Sequence, residues 1–270
     1  MSTEVRRAGG EGGAHESDYL LGPRAVLEAL SSGREFNRIM IAKGSEKARE
    51  ASEVWNAARE RGVQVQLVDR AAIERIASGQ NHQGIVAFVA PFKYAELDDL
   101  LNLPLGRKEP LFIALLDSVM DPGNLGSVVR TANAAGADGV VITARRCAQV
   151  NSAVVRSSAG AVEHTPVARV GNLSQAIDKL KSAGVWVAGL DINGDRDIWE
   201  ADLTGPLAVV VGSEGTGMSR LVSEKCDFTM RIPMAGKIGS LNAAVSFAVV
   251  AYECVRQRTA KRGREAARVD

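Results

Sequence analysis

The chain has little cysteine and little histidine, and its amino-terminal domain carries no aromatic-rich basic run of the kind that stacks single-stranded bases. Its three cysteines, Cys147, Cys226 and Cys254, lie far apart with no C-x-x-C. They supply neither a disulfide framework nor a zinc site, so the expectation is a metal-free, cytoplasmic protein in a reducing compartment. The histidines, His15, His82 and His164, fall in no H-E-x-x-H or triad-like spacing, so catalysis is not assigned to histidine. No uninterrupted apolar run approaches the roughly 20 residues of a membrane span. The polar, glycine-rich amino terminus has no apolar segment of the kind a secretion signal needs.

A strong charge of one sign is missing too. Lys plus Arg number 33 against 32 Asp plus Glu, a formal net charge of +1. That weakens a whole-molecule attraction to nucleic acid but leaves room for local patches. One such patch is Arg256, Arg258, Lys261, Arg262, Arg264 and Arg268, opposed there only by Glu265. It reads either as a solvated, frayed tail or as an RNA contact. Arg24, Arg34 and Arg38 are equally compatible with phosphate contact and with a solvated helix face. Familiar phosphate and metal signatures also fail. No G-x-G-x-x-G follows the first strand, and Gly236-Lys237 is followed by Ile238 rather than Ser or Thr. Asp191 to Asp195 starts like a calcium loop, but Arg196 stands where the sharp turn needs glycine.

What is present is an alternation of short apolar strands and helices. Length allows two domains, each with its own core. The expected partition is a disordered leader at 1–17, a small α/β domain at 18–91 and a linker with a short helix at 92–109. A larger α/β domain follows at 110–258, then a basic tail at 259–270. In the small domain, helices are expected at 23–30, 46–61 and 71–77, and strands at 38–42, 63–68 and 85–89. In the large one, strands are expected at 111–116, 139–143, 185–190, 207–211 and 228–232. Helices intervene near 125–135, 173–183 and 219–224. Near-continuous apolar strands between helices indicate a parallel sheet covered on both faces. The last helix, about 241–258, is apolar on most sides and must bury itself against the sheet or against another subunit.

Two loops leave neighbouring strand ends in the last quarter of the chain. Gly212-Ser213-Glu214-Gly215-Thr216-Gly217-Met218 follows one strand; Ile232-Pro233-Met234-Ala235-Gly236, then Ser240-Leu241-Asn242, follows another. Crevices at carboxyl ends of strands are where open α/β sheets bind ligands, so a small molecule is expected there. Upstream, a strand ends at Leu116 and leads through Asp121-Pro122-Gly123-Asn124 into a helix, with Asn124 as its candidate cap. Leu125, Val128, Val129 and Ala132 share one stripe of that helix, leaving Arg130 on another side. Arg130 reads either as a surface charge or as a guanidinium placed to hold a phosphate in bidentate geometry.

In order and spacing, 121–138, 212–219 and 232–246 resemble the three motifs of the SpoU (TrmH) branch of the SPOUT RNA methyltransferases. These enzymes transfer a methyl group from S-adenosylmethionine to a ribose 2′-hydroxyl. The stretch Asn81-His82-Gln83-Gly84-Ile85-Val86-Ala87 and the helix at 22–30 resemble the family's amino-terminal substrate-binding domain. The resemblance spans about 19–258, and that layout is similar to the bacterial 23S rRNA guanosine 2′-O-methyltransferases. It implies a SPOUT-type parallel-sheet domain with a deep trefoil knot, an exception to the rule against threading. It also implies a homodimer, with RNA, most simply 23S rRNA, as the partner. Carried over by motif, Gly212, Ile232 and Leu241 contact the cofactor, and Asn124, Arg130, Glu214, Ser240 and Asn242 are the catalytic candidates. Ser240 also reads as a helix N-cap, and Glu214 as an acid that pairs with Arg130. A tRNA or antibiotic-resistance rRNA target, or a non-catalytic RNA-binding assembly factor, are the alternatives.

Overall fold

The computed structural model describes residues 18–102 and 109–266. The expected leader, part of the linker, and the end of the tail with Arg268 lie outside the described residues, as does His15. The first unit contains β1 (Asp18–Leu21), α1 (Pro23–Ser31), β2 (Phe36–Ala42), α2 (Arg49–Glu60), β3 (Val65–Val68), α3 (Arg70–Ala77) and β4 (Ile85–Val89). Its sheet order is β1-β4-β2-β3, with β4 antiparallel to both neighbours and β2 parallel to β3. β1 is a strand the pattern did not announce. Four residues are too few for a period, and pairing with β4, sixty-odd residues away, is what makes it a strand. α2 begins at Arg49 rather than residue 46, because turns at Ser45 and Ala48 occupy the intervening backbone.

After α4 (Leu97–Leu101), the second unit runs β5 (Phe112–Leu116), α5 (Pro122–Ala134), β6 (Gly139–Thr143), α6 (Ser152–Ser157), β7 (Val167–Val170) and α7 (Leu173–Ser182). It continues with β8 (Trp186–Leu190), β9 (Arg196–Asp197), β10 (Leu207–Val211), α8 (Arg220–Lys225), β11 (Phe228–Arg231) and α9 (Ala243–Ala266). All strand pairs are parallel, in the order β7-β6-β5-β10-β8-β11-β9. Phe112, Ala114 and Leu116 pack in one cluster with α5 and α9; Ile113 and Leu115 pack in another with α4, α7 and α8. That period-2 split, apolar on both sides, is why β5 reads as a continuous hydrophobic run.

α9 corrects the expectation of a frayed basic tail, since the helix continues through Ala266. Arg258 is buried; its guanidinium donates to the carbonyls of Pro110, Leu203, Leu111 and Gly205 and lies 5.4 Å from the Phe112 ring centre. Arg256 pairs with Glu253, and Arg262 with Glu109. Half of this basic run is therefore structural. Phe247, Val250, Ala251 and Cys254 face the core, while Val245 and Tyr252, seven residues apart, are 47% and 54% exposed.

The two units meet at a buried ion pair. Arg34 Nη1 donates to Glu163 Oε1 at 2.7 Å, with the side chains 9% and 4% exposed. The same guanidinium donates to the Ala90 carbonyl and sits over the Phe92 ring. Gly160 touches α1 so closely that a Cβ there would lie 2.3 Å from Glu28 Cγ. Removing one partner of a buried pair leaves the other charge uncompensated, at about 3–5 kcal/mol. Arg34→Ala should lower the urea midpoint accordingly, and Arg34→Met with Glu163→Leu should recover much of the loss. An unchanged midpoint in Arg34→Ala would show that the pair does not secure the seam.

Candidate active site

β5 and β10 lie side by side with Leu116 opposite Val211, so their outgoing loops start together. The Asp117 N–H donates to the Val211 carbonyl at 2.9 Å, and Asp117 Oδ2 accepts the Ser219 N–H at 2.6 Å. This buried acid ties the β5 exit to the far end of the glycine loop, a role the motif reading missed. Its only sequence signal is an acid at the end of an apolar run. Ser118 follows in the left-handed region at φ 63°, turning the chain toward α5.

The helix cap is Asp121, not Asn124. Asp121 Oδ1 accepts the Asn124 N–H at 2.8 Å, and Pro122 occupies the first helical turn, where its missing N–H costs nothing. Relieved of capping, the Asn124 side chain reaches outward. The glycine loop is a tight hairpin. Ser213 and Gly217 exchange both main-chain hydrogen bonds at 3.0 and 2.9 Å, Ser213 Oγ meets Thr216 Oγ1 at 2.8 Å, and Glu214 is presented at the exposed turn.

Asn242, not Ser240, caps α9. Its Oδ1 accepts the N–H groups of Ala244 and Val245 at 3.0 and 3.2 Å. That fixes the amide orientation, so Nδ2 must point the other way. It donates to Asn124 Oδ1 at 2.8 Å and to Glu214 Oε1. With its Oδ1 thus occupied, Asn124 donates through Nδ2 to Glu214 Oε1 at 2.8 Å. A one-way chain of donors ends on the carboxylate, and three segments separated by up to 118 residues meet at one point.

Glu214 is therefore held by two amides rather than by Arg130. Among the described residues Arg130 makes no hydrogen bond or ion pair, and its side chain is exposed on α5. Ser240 is likewise exposed and makes no hydrogen bond to a described residue. Gly212 is buried beneath the returning limb of its hairpin, and Ile232 and Leu241 are half-buried at the two ends of the second loop. Among the described residues, no main-chain hydrogen bond uses the N–H or C=O groups of residues 233 to 241. Free main-chain donors and acceptors between two apolar side chains suit a purine edge and a flat apolar face. The donor set thus fits an adenosyl group.

The remaining polar candidates have structural roles. His82 Nδ1 accepts the Gly84 N–H at 3.0 Å, so its Nε2 carries the proton and donates to Glu74 at 2.7 Å. Burial raises the Cys147 thiol and pushes Cys226 up to about 12 and Cys254 up to about 11. At pH 8 these thiols should react with an alkylating reagent far more slowly in the native protein than in urea, as mass spectrometry can count. A cavity of about 580 Å3 opens beside Arg34 and Glu163 on the seam between units, and none of the motif residues lines it. Among the described residues no helix is long and apolar enough to cross a membrane.

A sequence model of the SpoU rRNA Methylase family matches residues 111–252, and one for RNA 2′-O ribose methyltransferase substrate binding matches 19–95. A putative TrmH family tRNA/rRNA methyltransferase, YacO of Bacillus subtilis, is 44% identical over 91% of this chain and 98% of its own. The crystal structure of the SpoU methyltransferase AviRb from Streptomyces viridochromogenes, in complex with AdoMet, superposes with a TM-score of 0.76 at 29% identity, covering 89% and 90% of the two chains. An AdoMet-bound rRNA methyltransferase from Sinorhizobium meliloti gives 0.74 at 28% identity over 88% and 87%.

Proposed function

The chain belongs to the SpoU rRNA methylase family, and from that premise we propose that it methylates the ribose of a guanosine in 23S rRNA. Membership makes it an S-adenosylmethionine-dependent RNA 2′-O-ribose methyltransferase. The observation that carries the active-site assignment is the junction of Asn124, Glu214 and Asn242 at the strand ends. A folded remnant that only bound RNA would have no need of a directed amide chain ending on a carboxylate. The preference for rRNA is supported by the Sinorhizobium rRNA methyltransferase, to which the likeness extends over 88% of this chain.

The cofactor, when bound, supplies a methyl group on a sulfonium, a good leaving group. The protein's part is then mostly positioning. Gly212, Ile232 and Leu241 hold the adenosyl group through main-chain contacts and packing. Arg130 anchors the phosphate beside the target ribose and stabilises the developing alkoxide. The hydroxyl proton passes to that phosphate or to water. Asn124, Glu214 and Asn242 act as one positioning unit, with Ser240 beside them to orient the ribose. Residues 18–91 serve as the RNA substrate-binding unit and 110–258 as the catalytic unit, in a cytoplasmic enzyme.

The order β5-β10-β8 supports the knotted fold, because β10 fills a place between two strands that precede it in the chain. The apolar outer face of α9, with Val245 and Tyr252, supports a homodimer built across that helix. Light scattering should therefore give twice the chain mass; a monomer would remove that part of the reading. Labelled cofactor incubated with 23S rRNA, 16S rRNA and tRNA should label 23S rRNA at one guanosine ribose. Label confined to tRNA would overturn the substrate assignment.

A further inference from the structure

We propose that Arg145 and Arg146, together with Arg156, form a phosphate-binding track that leads the target RNA strand along the carboxyl edge of the large sheet toward Arg130. The track rests on the reading of the chain as an RNA-modifying enzyme and names the surface that reading needs. Between Pro122 and Val162 the sequence holds four arginines and a single acid, Asp138. Asp138 is buried at the opposite edge, where its carboxylate accepts the Phe112 N–H at 2.8 Å. The acids that flank the stretch are engaged as well. Asp117 is buried on the Ser219 N–H, Asp121 caps α5, and Glu163 is paired with Arg34. Against these four arginines the edge above β5 and β6 exposes Glu214, held by the Asn124 and Asn242 amides, and the capping Asp121, so arginines remain in excess there, an arrangement that focuses a polyanion onto one edge.

The loop after β6 is built to hold its arginines still. Gln149 Nε2 donates to the carbonyls of Thr143 and Cys147, both at 3.0 Å. The Ala148 N–H donates to the Val119 carbonyl at 2.9 Å, and Cys147 Sγ approaches the same oxygen at 3.3 Å. Val119 is buried two residues before the Asp121 cap, so Arg145 and Arg146 are fixed beside the start of α5. Arg146 adopts the left-handed region at φ 60°, a cost for a non-glycine residue that the cross-bonded loop sustains. Both side chains are exposed and make no hydrogen bond or ion pair with a described residue through the guanidinium.

Arg156 extends the same surface to the substrate-binding unit. α6 packs against α5 at Gly126, where a Cβ would fall 1.9 Å from Ser157 Oγ, and Ser157 Oγ donates to the Pro122 carbonyl at 3.1 Å. Arg156, exposed on α6, donates to Gln80 Oε1 of the first unit at 2.8 Å. Gln80 is neutral, so the guanidinium charge remains available. Guanidinium groups spaced along an edge without stacking aromatics recognise sugar-phosphate backbone rather than base identity. The expected ligand is single-stranded RNA held through successive phosphates.

The test uses the full chain with a fluorescein-labelled 20-nucleotide polyuridylate, read by anisotropy from 50 to 300 mM KCl, and 23S rRNA for methyl transfer. Arg145→Ala with Arg146→Ala should weaken polyuridylate binding roughly tenfold or more at 50 mM KCl and flatten the log–log salt slope by about 1.4, the value for two single-strand phosphates. KM for 23S rRNA should rise while the cofactor Kd stays at the wild-type value. Arg145→Lys with Arg146→Lys should restore the salt slope, which a merely structural loss would not. Arg145→Ala alone and Arg156→Ala, which leave the left-handed residue untouched, should each flatten the slope by about 0.7. Wild-type slopes and KM in all these variants would overturn the track. A wild-type protein that neither binds nor methylates RNA would overturn the functional reading with it.

Discussion

Arg130→Ala is expected to lower methyl transfer by about 10²–10³-fold, the range for loss of one preorganised charge-stabilising donor, while leaving cofactor affinity unchanged. The separation follows from geometry. Arg130 is exposed on α5 with no bond to Glu214, Asn124 or Asn242, so its removal leaves that junction and the cofactor loops intact. Its charge is also uncompensated by any described carboxylate, as a group awaiting a phosphate should be. Arg130→Lys should recover only part of the rate, since an ammonium cannot reproduce a bidentate fork. Single-turnover transfer and calorimetric titration of the cofactor measure the two quantities separately. If cofactor binding fell as far as the rate, the phosphate-anchor role would be wrong.

Much of this site was legible as residue types and little of it as contacts. The apolar runs at 139–143 and 207–211 have the same bounds in the sequence reading and in the structure, because buried parallel strands announce themselves by composition. β7 and β9 did not, since four residues and two residues carry no periodicity of their own. Asn124 and Asp121 are both acceptable caps by residue type; Pro122 decides for Asp121 by placing the start of the helix. For the last helix the sequence offered Ser240 as the cap, but the first bonded N–H groups, Ala244 and Val245, belong to Asn242. The pairing of Glu214 with two amides instead of Arg130 depends on loops meeting across the sheet, which no local pattern encodes. Arg258 looks like a tail residue until its four carbonyl acceptors are seen.

Gly212→Ala is expected to raise the cofactor Kd by about 100-fold, or ~2.7 kcal/mol, although alanine is a small, apolar replacement. A Cβ at this position would lie 2.1 Å from the Gly217 carbonyl carbon and 2.3 Å from the Met218 nitrogen. Both are main-chain atoms, so no side chain can rotate away and the returning limb of the hairpin itself must move. Three consequences are linked to that movement. The paired bonds between Ser213 and Gly217 lengthen, Glu214 leaves its two amide donors, and the Met218 side chain withdraws from Gly189, against which it packs. Forcing an extra methyl group into a close-packed position costs about 1–3 kcal/mol of stability as well. Gly215 is the control within the same hairpin. A Cβ there meets nothing within 4 Å, so Gly215→Ala should leave the melting temperature nearly unchanged. If Gly212→Ala bound the cofactor as the wild type does, the hairpin could not be a wall of the pocket. Equal losses in stability and affinity would fit a hairpin that both closes the sheet edge and shapes the pocket.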